Sequence, residues 1–380
     1  MKNIYEDKRI VMTLDAGGTN FVFSALQSGE EIITPITLAS NSDNLEVCLH
    51  TIIEGFQEVK KSLNTMEPEA ISFAFPGPAD YKNGIIGDLV NLPAFRGGVA
   101  LGPMLEEIFG IPTLINNDGD LFAYGEAVGG LLPTINKSLA ESGLSRRYKS
   151  LIGITLGTGY GGGIVVNNQV CLGDNSAAGE IWLTRNFIKP KTVVEESVSI
   201  RAIQRVYTEQ SGDSTVLSPK DIFKIACGDA EGNKKAAIAA FEEMAVAVAE
   251  SLANVIALID APVVIGGGIA GASRFIISKI IEHLSGSIYD LEGNAMPRVI
   301  SGVYNIDDPK DLADFLSDSE TEVNIPFSSK KASYNKEKRV AIGISKLGTS
   351  TAVCFGAYAL ALDFLDKTNL YEAVEQIGSN

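Results

Sequence analysis

Residues 10–26 read IVMTLDAGGTNFVFSAL, and residues 151–166 read LIGITLGTGYGGGIVV. Each is an apolar run, a glycine turn and a second apolar run. Short apolar runs bounded by glycine are strand signals, and two of them joined by a tight turn read as a β-hairpin. Laid over one another, Thr13-Leu14-Asp15-Ala16-Gly17 matches Thr155-Leu156-Gly157-Thr158-Gly159. A hairpin that recurs with its glycine turn is the trace expected of a fold built from two similar halves.

The segments outward from these hairpins read as alternating strands and helices. Glu31–Leu38 is expected as a third strand. Leu45–Leu63 carries Leu45, Leu49, Ile52, Ile53 and Phe56 at helical spacing, which predicts one apolar face. Ile71–Phe75 is a short strand running into Pro76-Gly77-Pro78. Leu101–Phe109 is a helix closed by Gly110, Pro112–Asn116 a strand, and Asp118–Val128 the helix after it. Ala236–Leu258 is a long helix, followed by a strand at Pro262–Ile265, the turn Gly266-Gly267-Gly268 and a helix over Ser273–Leu284. Arg339–Ile344 is a strand and Thr349–Leu365 an apolar helix. Residues 285–335, rich in Ser, Asp, Asn, Gly and Lys with little periodicity, read as an inserted and partly exposed segment.

A chain of 380 residues has two domains as its natural prior. Its 47 acidic residues against 31 basic ones leave a net charge of −16, which repels phosphate backbones and anionic membranes. Nucleic acid and membrane are therefore not expected partners. A nucleotide is compatible with this charge, because backbone N–H groups hold phosphate without formal charge. Cys48, Cys171, Cys227 and Cys354 are scattered and read as reduced thiols of a cytoplasmic protein. The start, MKNIYEDKRI, has no apolar signal core, and the apolar stretches near 244–272 and 351–365 fall short of a membrane span.

Several short motifs could carry chemistry. Asp15-Ala16-Gly17-Gly18-Thr19 reads either as a plain hairpin turn or as a phosphate loop, with glycine N–H groups near the anion, a Thr donor, and an Asp holding hydrated Mg²⁺. Gly157–Gly163 has five glycines in seven residues; so many weaken a strand unless something approaches closely, which favours a second phosphate turn. Gly266-Gly267-Gly268 stands at a strand–helix junction, fit either for tight packing or for a nucleotide. Asp118 ends a strand and opens a helix. It reads as a helix N-cap, as a general base for a hydroxyl nucleophile, or as both. Glu180, Glu195 and Glu196 are acids in apolar surroundings; for Glu196 a surface role suffices.

Together these segments resemble the ROK family (repressor, open reading frame, kinase). DAGGT is similar to the family's first phosphate motif and LGTGYGGGIV to its second. FPGPAD, NLPAF and INNDGDLFAYGEA resemble its sugar-side segments, Gly179–Ile181 the start of its GEIGH motif, VIGGGIA its adenosine segment and LGTSTAVCFGAYALA its closing helix. The resemblance implies an α/β, two-domain, actin-like (ribonuclease H-like duplicated, sugar kinase/Hsp70-type) ATPase fold with an interdomain cleft. It implies Asp118 as catalytic base and Asn91, Asn117, Asp118, Glu180 and Glu195 as sugar ligands. Asp15, Gly17, Gly18, Thr19, Thr158 and Gly159 would hold phosphates, Asp15 would hold Mg²⁺ through water, and Gly267 and Gly268 would lie under the adenosine of ATP. Where the family has Gly-His after GEI, this chain has Trp182-Leu183, and Thr184–Val194 contains no Cys or His. No zinc site is expected. The first strand starts near Ile10, so no DNA-binding helix-turn-helix is expected ahead of it.

The expected activity is transfer of the ATP γ-phosphoryl to a primary hydroxyl of a hexose or N-acetylhexosamine, most simply O6. The rival is a non-catalytic sugar or nucleotide sensor on the same fold, since fold does not fix function; Asp118 and two intact phosphate turns are more than a sensor needs. The expected domains are 1–118 with 349–366, and 119–348 with the insertion at 285–335. A homodimer is compatible with the resemblance.

Overall fold

A computed structural model describes residues 4–378 except Gly18, Pro78, Val90, Asn91 and Pro93, with side chains as far as Thr368. The chain begins with β1 (Val11–Ala16), β2 (Asn20–Gln27), β3 (Glu30–Glu31), β4 (Ile36–Ala39), α1 (Leu45–Ser62), β5 (Ala70–Ala74), β6 (Ala79–Asp80), β7 (Ile85–Ile86), α2 (Leu101–Phe109), β8 (Thr113–Asn116) and α3 (Asp118–Val128). It continues through α4 (Leu131–Glu141), β9 (Leu151–Leu156), β10 (Tyr160–Val166), β11 (Gln169–Val170), α5 (Ile200–Ser211), α6 (Pro219–Cys227), α7 (Lys234–Ile259), β12 (Val263–Gly266) and α8 (Ser273–Leu284). The rest is β13 (Ser287–Tyr289), β14 (Ala295–Pro297), β15 (Gly302–Asn305), α9 (Pro309–Phe315), β16 (Glu320–Asn324), β17 (Lys331–Asn335), β18 (Arg339–Ile344) and α10 (Thr349–Gly378).

Contacts divide the chain into two units: Met1–Gly130 with Gly163–Gly179 and Leu347–Asn380, and Leu131–Gly162 with Glu180–Lys346. In the first, strands run in the order β3-β2-β1-β5-β8, with β4 also on β2. The β1–β2 hairpin is antiparallel, Thr13 opposite Ser24, while β1–β5 and β5–β8 are parallel. Strand side chains alternate between faces. Met12, Leu14, Phe21, Phe23, Ile71 and Phe73 line one face with Ile52 and Phe56 of α1 in a single apolar core. Phe56 meets Phe23 edge-on at 5.2 Å between ring centres, an arrangement worth about 0.5–1.5 kcal/mol beyond area burial. The Asn44 side chain caps α1 by accepting from the Val47 N–H at 3.2 Å.

The opposite face carries Thr13, Ser24 and Ser72, all buried, and α10 packs against β1, β5 and α3 there. The crossing of α10 over α3 is made by two glycines. A methyl on Gly356 would overlap the Leu121 carbonyl and stand 2.8 Å from its carbon; one on Gly125 would meet Ala352 in the same way, 2.7 Å from its carbonyl carbon. This contact ties α3 to the first unit. The boundary therefore falls at Gly130, later than the cut expected after Asp118, because a helix packed so closely on α10 cannot belong elsewhere.

In the second unit, β9, β12, β18 and β15 run parallel in that order, with β10 on the far side of β9. A hairpin leading into parallel strands thus occurs in both sheets, as the sequence repeat predicts. The apolar, alanine-rich α7 is buried over most of its length against α5, α6 and α8. Two expectations need correction. The single strand over Glu31–Leu38 is two short strands, β3 and β4, both paired with β2. Residues 285–335 are also not wholly an insertion. Within them β15 is a strand of the main sheet, Val303 beside Val340, and α9 buries Phe315. The buried Arg339 guanidinium donates to the Phe315 carbonyl at 2.8 Å and the Ser317 carbonyl at 2.6 Å. Irregular composition concealed them because each is too short to show a period.

Candidate active site

In the first unit β1 delivers Asp15 to the surface, and Thr19 is exposed across the turn. The turn is closed: a Cβ on Gly17 would lie 2.8 Å from the Asn20 carbonyl oxygen, and the Thr19 carbonyl accepts from the Ser40 N–H at 2.9 Å. Gly18 and Asn91 lie outside the described residues. On α10, Cys354 is pushed up to about 12 by burial, with the nearby charges of Asp15 and Glu31 adding to it; the thiol is inert at neutral pH.

The Asn117 side chain caps α3, its Oδ1 accepting from the Gly119 N–H at 2.8 Å. The cap reading of Asp118 is thereby corrected: the cap lies one residue earlier, and Asp118 is the first helical residue. Asp118 keeps open surface, while its Oδ1 accepts from the Gly119 N–H at 3.0 Å. Protein crowding round the carboxyl raises it above the ordinary aspartate range, and backbone N–H groups of Gly119 and Asp118 pull it down. The exposed surface tempers the upward push, which still dominates. An accessible carboxylate of raised basicity suits proton acceptance. The first turn of α3 is seated on β10, where a Cβ on Gly163 would stand 2.7 Å from the Asp120 Cα.

In the second unit Thr158 is exposed, and the space around Gly157 is open. The turn is held from both sides: Ile200 N–H donates to the Gly157 carbonyl at 2.9 Å, and Tyr160 N–H donates to Glu195 Oε2 at 3.0 Å. A Cβ on Gly159 would sit 2.5 Å from that same oxygen. Glu195 is thus built against the glycine turn, a link without any signal in sequence spacing. Part of the glycine richness is packing, at Gly159 and Gly163, and part leaves open space, at Gly157. Glu180 is exposed, and the Trp182 indole N–H donates to its carboxylate. Glu196 is exposed beside Arg201. At the end of β12, Gly267 takes φ 87°, a region that favours glycine, with Leu156 in close contact; Gly268 opens a 3₁₀ turn over Gly268–Ala272 with free space around its Cα.

The remaining motif segments serve the core. In INNDGDLFAYGEA, residues 119–127 are buried, and Glu126 accepts from the Leu347 N–H at 3.1 Å, which locks α3 to the entry of α10. Phe75 and Phe95, from FPGPAD and NLPAF, pack with ring centres 5.3 Å apart. Among the described residues, no three His, Cys, Asp or Glu side chains gather as a metal site, and no helix is long and apolar enough to cross a membrane. The residue that sequence reasoning missed outright is Asn186, which is fully buried and makes hydrogen bonds with every polar group of its side chain.

A family model described as the ROK family matches residues 11–302. The N-acetyl-D-glucosamine kinase of Photobacterium profundum is 29% identical over 294 residues, 71% of this chain and 88% of that relative. The glucokinase of Halalkalibacterium halodurans is 28% identical over 318 residues, 76% and 87% of the two chains. Among solved structures, a glucokinase from Parabacteroides distasonis superposes with a TM-score of 0.88 at 50% identity, covering 96% of this chain and 99% of that one.

Proposed function

For this chain, which belongs to the ROK family, we propose ATP-dependent phosphorylation of a hexose or N-acetylhexosamine at a primary hydroxyl, O6. The protein is a sugar kinase with the two-domain actin-like ATPase fold. The similarity to glucokinases and N-acetylglucosamine kinases along most of the chain supports this. The single observation that carries the chemistry is Asp118, an accessible carboxylate of raised basicity at the start of a helix fixed by Asn117, Gly163 and α10.

Asp118 accepts the proton of the attacking hydroxyl as the bond to the γ-phosphorus forms, a contribution of about 10²–10⁴ in rate. Asn117, with its Oδ1 committed to Gly119, offers its Nδ2 donor to the sugar; Glu180 and Glu195 accept from sugar hydroxyls. Asn91 is assigned to the sugar on the resemblance alone. The open N–H groups of the Gly157–Gly159 turn, with Thr158, and the turn at Gly17, Gly18 and Thr19 hold phosphate. Gly267 and Gly268 give the adenosine a flat floor. Asp15 fits Mg²⁺ bound through water: it is one exposed carboxylate, and Mg²⁺ keeps most of its waters and takes its other ligands from phosphate. When bound, the ion neutralises charge on the transferring phosphoryl group. Positioning supplies most of the remaining rate.

The rival, a sensor without turnover, makes the opposite statement about Asp118. ADP release measured with a panel of hexoses and N-acetylhexosamines separates the two. At least one sugar should give turnover, and Asp118→Asn should lower its kcat by at least about 10² while changing the sugar KM far less. No turnover with any sugar, or a near-normal kcat in the Asn variant, would refute the reading.

A further inference from the structure

Asn186 sits at the centre of the segment that joins Glu180 to Glu195. Its backbone N–H donates to the Thr192 carbonyl at 3.1 Å. Its Nδ2 donates to Thr192 Oγ1 at 3.1 Å, to the Val193 carbonyl at 3.3 Å and to Ser197 Oγ at 2.9 Å. Its Oδ1 accepts from the N–H groups of Ile188 and Lys189, both at 3.0 Å. One uncharged amide, fully buried, thus holds both strands of the 185–193 loop and the 3₁₀ turn Val194–Ser197 that carries Glu195.

The bonds continue in both directions. Val194 N–H donates to the Thr184 carbonyl at 2.8 Å, and Thr184 N–H donates to the Ile181 carbonyl at 3.0 Å. Thr184 Oγ1 also donates to the Ile181 carbonyl at 2.7 Å, and Leu183 N–H reaches the Glu180 carbonyl at 3.2 Å. From the other end, Glu195 Oε2 takes the Tyr160 N–H of the glycine turn at 3.0 Å. The 3₁₀ turn at Ile181–Leu183 and that at Val194–Ser197 are packed together. A buried polar network rigidifies its surroundings when every member is bonded, and becomes a liability when one partner is lost.

We infer that Asn186 is the positioning residue of the sugar site: it sets the spacing of Glu180 and Glu195, and so the set of sugar hydroxyls the two carboxylates can meet together. The inference rests on the reading of those two acids as sugar ligands. Two acceptors that must each meet a hydroxyl tolerate little change in separation, so loosening the loop weakens sugar binding more than ATP binding, which it reaches only through the Tyr160–Glu195 bond.

The test is steady-state kinetics on the full chain with the most active sugar of the panel. Asn186→Leu keeps the branched heavy-atom shape, at a larger volume, and removes every side-chain hydrogen bond; Ser197→Ala removes only the link to the Glu195 turn. Asn186→Leu should raise the sugar KM about 10-fold or more with a much smaller change in the KM for ATP, and Ser197→Ala should give a smaller rise of the same kind. Trypsin should cut faster at Arg185 and Lys191 in both, with sugar restoring protection. Glu180→Ala and Glu195→Gln are run alongside. If they raise the sugar KM while a folded Asn186→Leu stays within about 2-fold of the parent, the positioning role is wrong and the acids keep theirs. If the Glu variants also leave the sugar KM unchanged, the acids are not sugar ligands and the inference falls with them. Should Asn186→Leu fail to fold, an unchanged sugar KM in Ser197→Ala decides against it.

Discussion

Substituting Gly356 by Ala would normally help a helix, because Ala is favoured over Gly by about 1 kcal/mol in a helix interior. Here the structure demands the opposite sign. The added methyl would overlap the Leu121 carbonyl and stand 2.8 Å from its carbon and 3.0 Å from the Gly125 nitrogen. Carbon atoms rest about 3.5–4.0 Å apart, so α3 and α10 must part by roughly 1 Å. Neither obstacle is a flexible side chain; both are helix backbone. Overpacking of this kind costs about 1–3 kcal/mol, and backbone obstacles put this case at the upper end. Offsetting about 3 kcal/mol by the propensity gain of about 1 leaves a net loss of about 2 kcal/mol. For a unit of this size that is a fall in Tm of about 4–8 °C. Thermal unfolding followed by circular dichroism and by calorimetry reads it directly. Because α3 begins at Asp118, kcat should fall as well, while the double variant Gly125→Ala/Gly356→Ala should lose less than the two single losses combined, since the helices part only once. A Tm equal to or above the parent's in Gly356→Ala would refute the close-crossing account.

Glu180→Ala should raise the sugar KM roughly 5- to 150-fold, the equivalent of about 1–3 kcal/mol for a lost charge-assisted bond. Trp182→Phe, which removes the indole N–H from Glu180 and keeps one aromatic ring, should shift the sugar KM in the same direction by less; a sugar KM unmoved by both would mean that the segment is a surface turn. The Asp118 carboxyl is raised in the folded protein, so the protonated form is favoured by folding and the ionised form opposes it above that range. Two results follow from that sign: the acid limb of kcat/KM should lie above the ordinary aspartate value of about 3.9, and Asp118→Asn should unfold at a higher temperature than the parent at pH 7 while losing activity. An acid limb at or below the ordinary value, or a lower Tm in the Asn variant, would contradict the raised carboxyl.

Strong local signals were legible. Leu101–Phe109 with its Gly110 stop, Asp118–Val128, Ser273–Leu284 and Arg339–Ile344 have the expected bounds, because each is a periodic run closed by a turn residue or a charge. The paired hairpins and the duplicated plan were legible for the same reason. Elements whose stability comes from distant partners were not. β15 has only four residues and depends on β18 for its pairing. β10 begins at Tyr160, inside what reads as a turn, because glycines that signal a loop are there to admit Glu195 and the first turn of α3. At the site, residue types at strand ends pointed to Asp15 and Asp118. The bond from Tyr160 to Glu195 spans a long stretch of chain, and the Asn186 network draws on Thr, Val and Ser residues with no pattern of their own. Hydrogen bonds made by isolated polar side chains leave no period to read.

The sheet face lined by Thr13, Ser24 and Ser72 has a temporal consequence. Both strands of its hairpin and β5 leave the ribosome within the first 74 residues, yet the helix that covers this face starts at Thr349. At about 5–20 residues per second, the interval is roughly 15–60 s. Throughout it the hydroxyl row is wet, and its three side chains are solvated by water. Three hydroxyls among Val11 and Leu26 on that face leave it less apolar, while it awaits its lid, than a row of Val and Ile would be. Ser24 and Ser72, whose Oγ atoms find no protein partner among the described residues, give up that water only when α10 arrives.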